Sequence, residues 1–87
     1  MILSTKRLIY PEGDILEIEH NLRVNELVDL NGVPLPLPLP TPKMIVYRVY
    51  RISTQNTRNE VITNYFLELM KRNELEGLAK VSRSPNI

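Results

Sequence analysis

The sequence contains no cysteine and no tryptophan. Without thiols there is no disulfide framework, no thiolate metal site and no cysteine nucleophile. A single histidine, His20, excludes any site built from two imidazoles. Glycine occurs only at Gly13, Gly32 and Gly77, too sparsely for a phosphate-cradling loop. No apolar run approaches the roughly 20 residues that a membrane-spanning helix needs. A strong charge of either sign is missing too, since 11 Lys and Arg stand against 10 Asp and Glu, a formal net charge of +1. That near-balance supplies no global attraction to nucleic acid or to a membrane surface. The stretch Met1-Ile2-Leu3-Ser4-Thr5-Lys6-Arg7 places its charges after a short apolar start, the reverse of a secretory signal. The expected setting is a reducing one, the cytoplasm.

What is present is 87 residues, 43% of them hydrophobic, enough for one small domain. That domain is expected over residues 1–81, with a flexible tail at 82–87. Charge is uneven along the chain: residues 1–33 sum to −3 and residues 34–87 to +4. The two halves are expected to neutralise each other within the fold or between subunits, the alternative being a basic face presented to a partner. One segment is compositionally biased, with prolines at 34, 36, 38, 40 and 42 alternating mostly with leucine.

Residues 2–10 are apolar and β-branched enough for a strand, and Tyr10-Pro11-Glu12-Gly13-Asp14 reads as a type I turn, with room for a bulge. Leu16, Ile18, His20, Leu22 and Val24 then alternate with polar residues, so residues 15–24 are predicted to close a hairpin with residues 2–10. Asn31-Gly32 signals a two-residue type I′ turn, which pairs Val28 with Leu35 and Glu26 with Leu37. In that register the even-numbered prolines point their missing N–H groups outward, and the run forms a sealed edge strand with its leucines on the core face. Residues 43–53 form a fourth strand, placed beside the first because the proline edge is blocked.

Thr57-Arg58-Asn59-Glu60 has the pattern of a capping box. Val61, Ile62, Tyr65, Phe66, Leu69 and Met70 follow as adjacent pairs four apart, the stripe of an amphipathic helix ending near Asn73. Residues 74–81 are expected to form a separate short turn closed by Gly77. The predicted architecture is therefore α+β: an antiparallel sheet of about four strands, order 3-2-1-4, with one main C-terminal helix packed on one face.

No constellation carries catalysis. His20 shares the parity of the packed face and lacks an orienting partner. Glu17 and Glu19 share a strand face with Arg23, as in a solvated charge ladder. The prolines are never three apart, which rules out the spacing of SH3-type ligands. We expect no enzyme, no metal, no cofactor and no small-molecule substrate. The leading expectation is a small binding protein, homodimeric, acting through a protein–protein surface on its helical side: Leu67 off the helix stripe, with Leu75, Leu78 and Val81 after it. The alternative partner is nucleic acid, met by Tyr47, Arg48, Tyr50 and Arg51 with Arg58, Lys71 and Arg72. Strand alternation divides that motif, with Tyr47 and Arg51 on one face and Arg48 and Tyr50 on the other.

Overall fold

The computed structural model describes residues 2–41 and 43–79. It contains β1 (Leu3–Ile9), β2 (Ile15–Ile18), β3 (Leu27–Val28), β4 (Tyr47–Asn56), β5 (Glu60–Leu69) and α1 (Arg72–Ala79). The strands form one mixed sheet in the order β2-β1-β5-β4-β3, curled into a half-barrel. This corrects the expected four-stranded antiparallel sheet with a main helix. The predicted helix is β5, which lies parallel to β1 on one side and antiparallel to β4 on the other.

The first hairpin forms as expected, with Ile9 opposite Ile15 and Lys6 opposite Ile18. Its turn is closed by the Gly13 amide donating to the Tyr10 carbonyl at 2.9 Å, with Gly13 at a φ of +104°. β2 stops at Ile18, short of the predicted Val24.

The second turn follows the same plan and not the expected type I′ form. Gly32 has a φ of +78° but Asn31 does not enter the left-handed region. The Asp29 carboxylate accepts the amides of Asn31 at 2.8 Å and Val33 at 2.9 Å, which holds a three-residue loop. The extra loop residue shifts the register by one, so Val28 faces Pro34. The flanking bonds run from Asp29 N–H to the Val33 carbonyl and from Leu35 N–H to the Leu27 carbonyl. Pro34 thus sits where no amide is required. Pairing ends there, so the expected edge strand over residues 33–40 shrinks to a single bridge.

β5 reads as a strand for a positional reason. Flanked on both edges, it is free to carry apolar residues on both faces, and Val61, Ile62, Thr63, Tyr65 and Phe66 are strong strand formers. Thr57-Arg58-Asn59-Glu60 is the tight β4–β5 turn, closed by the Thr57 amide on the Glu60 carbonyl at 2.8 Å.

Two cores result. The concave face of the sheet gathers Leu8, Val28, Tyr47, Val49, Tyr65 and Leu67, with Tyr10 and Leu22 from the loops. A second cluster of Leu27, Leu39, Val46, Met70 and Leu75 docks α1, with Leu35, Met44 and Leu78 at its margin. The helix begins where Glu74 reaches back to accept the Lys71 amide at 3.0 Å, and it runs through Gly77 without stopping. Among the described residues, no helix is long and apolar enough to cross a membrane.

Candidate functional site

Register decides which side chains share a surface. Between Val49 and Arg51 the β4–β5 ladder slips, so Tyr50 is an extra residue opposite β5. Tyr47 and Val49 point into the core, whereas Arg51 faces Phe66 and Arg48 faces Glu68 on the convex side. The bulge aims Tyr50 at that same side, with its ring centroid 6.5 Å from that of Phe66. The Arg51 guanidinium carbon lies 5.0 Å from the Phe66 ring centroid, a cation–π arrangement. Strict alternation separates Tyr50 from Arg51, and the bulge reunites them.

The remaining basic candidates disperse. Tyr47 is buried, and its hydroxyl donates to the Glu12 carboxylate at 3.1 Å. Arg58 sits in the β4–β5 turn, at the opposite end of that hairpin from Arg48. Lys71 and Arg72 flank the start of α1, and Arg72 pairs with Glu76 at 3.4 Å. Arg48 bonds Glu68 through Nε at 2.7 Å and reaches Glu74 of α1 at 3.6 Å, tying helix to sheet. On β1, Arg7 Nε donates to Asn64 Oδ1 at 3.2 Å, and this pairing covers the buried Asn64 on the convex side.

Of the expected protein-contact leucines, Leu67 and Leu75 lie inside the cores and Leu78 is partly buried. Leu67 is 2% exposed and Leu75 is 4% exposed, so both serve the cores. Leu78 packs against the second core, and Val81 lies outside the described residues. In their place the helical side presents Ile45 and Leu69, each 52% exposed. Together with Met44, Met70 and Leu75 they line a shallow apolar groove of about 340 Å³ whose rim carries Lys43 and Arg72. Sequence reading missed Ile45, Leu69 and Phe66. Once residues 60–69 are a strand, Phe66 is identified by its shared parity with Glu68, whereas Ile45 and Leu69 carry no local signal.

Tyr10 and Tyr47 meet edge to face with centroids 4.8 Å apart. The Tyr10 hydroxyl lies 3.2 Å from the carbonyls of Asp29 and Leu30. Burial, chiefly, pushes both phenols above their ordinary value; Asp29 adds to the effect at Tyr10 and the bonded Glu12 at Tyr47. His20 is half-buried with Nε2 3.1 Å from the Gly32 carbonyl, so it clasps the second turn. Glu17 stands opposite Arg7 in the β1–β2 ladder. Among the described residues no three His, Asp or Glu side chains converge as metal ligands.

These features define a small mixed-sheet half-barrel domain with a docked helix and two surfaces that no described residue covers, one aromatic and basic, one apolar. Residues 3–78 match a family model described as an uncharacterised Treponema protein, and the chain belongs to that family. No curated protein and no solved structure matches it.

Proposed function

We propose that this protein is a non-enzymatic binding module of the cytoplasm that acts through its helical side, most simply by pairing with a second copy. The observation that carries this reading is the half-exposure of Ile45 and Leu69 around the groove beside α1. Two large aliphatic side chains left half in water each forgo roughly 1 kcal/mol of burial, which association recovers. Lys43 and Arg72 border the groove and Arg72 pairs with Glu76 of α1, so both signs of charge are available to a second copy docking there. Light scattering over a concentration series tests it. Concentration-dependent dimerisation abolished by Leu69→Lys is the expected result; a monomer at every concentration overturns the reading.

The convex face supports a second reading, single-stranded nucleic acid, because the bulge brings Tyr50, Phe66 and Arg51 together. Exposed aromatics beside guanidinium groups stack bases and contact phosphates. Titration of labelled oligonucleotides over a salt series decides it. Binding that weakens steeply with salt and falls in Tyr50→Ala supports this reading, and the absence of binding at low salt removes it.

A further inference from the structure

The half-barrel has one closed edge and one open one. β3 is covered by Val33–Leu35, followed by the proline-rich run, whereas β2 is the terminal strand, with no strand paired beyond it among the described residues. The Tyr10 amide donates to the Asp14 carbonyl at 2.9 Å, and an antiparallel ladder alternates bonded and non-bonded pairs. Leu8–Leu16 and Lys6–Ile18 are therefore the bonded pairs, which leaves the N–H and C=O of Ile15 and Glu17 facing away from β1. A cleft of about 370 Å³ runs along the start of this strand, between Ile15 and Leu16 on one side and Leu30 of the second turn on the other. Ile15 is 56% and Leu30 55% exposed. Glu12 and Asp14 line this cleft, and Glu17 and Glu19 follow beside Lys6; all four are exposed, Glu12 accepts the Tyr47 hydroxyl, and no ion pair among the described residues engages them.

We propose that the β2 edge accepts an extended strand from a partner protein in which apolar residues alternate with lysine or arginine. Backbone bonds to Ile15 and Glu17 supply the attachment, the cleft takes apolar side chains, and the four carboxylates select the basic ones. A second copy is disfavoured as occupant, because pairing β2 with β2 brings Glu17 and Glu19 against their own counterparts. The carboxylates thus exclude self-pairing while admitting a basic strand. This site is separate from the groove beside α1 and stands or falls independently of it.

The test uses the full chain carrying Leu69→Lys, so that association through the helical side does not interfere. Fluorescence anisotropy measures binding of a labelled peptide in which valine alternates with lysine, against a glycine–lysine peptide and a valine–glutamate peptide. Amide exchange is followed at Ile15 and Glu17 in the same mixtures. We expect the valine–lysine peptide to bind about tenfold more tightly than either control and to slow exchange at both amides. Glu17→Pro, which removes an outward N–H and none of the β1 bonds, is expected to weaken binding by a similar factor, about tenfold. The Glu17→Gln/Glu19→Gln variant weakens it several-fold. No binding of the valine–lysine peptide, binding without protection of Ile15 and Glu17, or equal binding of the glycine–lysine peptide overturns the proposal, and the carboxylates are then guards of the edge only. Should Glu17→Pro fail to fold, the exchange measurement in the chain with an intact β2 decides alone.

Discussion

At Gly32 two requirements coincide. Its φ of +78° suits glycine, and a Cβ there would lie 2.8 Å from Leu8 Cδ1 and 3.0 Å from Leu16 Cδ2. A side chain there forces the methyl groups of the buried Leu8 and of Leu16 to shift. Gly32→Ala is expected to cost about 1–3 kcal/mol, read from the urea midpoint. Gly13 also has positive φ but meets nothing within 4 Å, so Gly13→Ala carries the backbone strain without the clash and costs less. The tyrosine pair makes a pH prediction. Both phenols are raised above 10.0 in the fold, so the unfolded chain loses these protons first. Stability is then fully present below about pH 10 and falls as pH rises toward the native values. Urea titrations from neutral pH to about pH 11 should show a shallower decline in the Tyr10→Phe/Tyr47→Phe variant.

At the scale of elements, the start of the alternating segment at β2 and the Pro-x-Gly turn before it were legible because each is a local rule obeyed locally, whereas the alternation beyond Ile18 forms no strand. β5 was not. Val61-Ile62, Tyr65-Phe66 and Leu69-Met70 satisfy a helical stripe as well as a strand that is apolar on both faces, and only β1 and β4 on either side choose between them. Thr57-Arg58-Asn59-Glu60 is similarly ambiguous, since the residues that cap a helix also close a tight turn. The short α1 depends on tertiary support, because eight residues do not sustain a helix in water. Arg48 provides part of that support through Glu68 and Glu74. These side chains are partly exposed, so Arg48→Ala is expected to lose only about 1 kcal/mol. Faster amide exchange in α1 than in β5 of that variant is the signature to measure.

For the molecule as a whole, the sheet joins distant parts of the chain, with Leu3 paired to Glu60 and Ile9 to Phe66. Leu8 lies fully buried at the centre of the concave core. Its truncation to alanine should lower stability by about 2–5 kcal/mol and loosen every strand together. Leu75→Ala is expected to release α1 while the sheet persists; exchange mapping of both variants separates the two outcomes. The anticipated cancellation between an acidic first half and a basic second half is not made by ion pairs among the described residues. Arg48–Glu68, Arg48–Glu74 and Arg72–Glu76 all lie within the second half. Four of the six carboxylates of the first half, Glu12, Asp14, Glu17 and Glu19, lie in or beside β2, which gives that border its proposed selectivity.

By itself the sequence determined the first hairpin, the positions of both glycine turns and the exclusion of thiol and paired-imidazole chemistry, because each depends on residues adjacent in the chain. It also assigned Pro34 an outward position without an amide partner, which holds although the register moved by one. Only the tertiary structure decided that residues 60–69 extend between β1 and β4, and that Leu67 and Leu75 turn inward. It likewise decided that a bulge at Tyr50 places Arg51 beside Phe66. Most of the pairings behind those outcomes join residues more than ten apart, and their free energy outweighs the small local preferences of the chain.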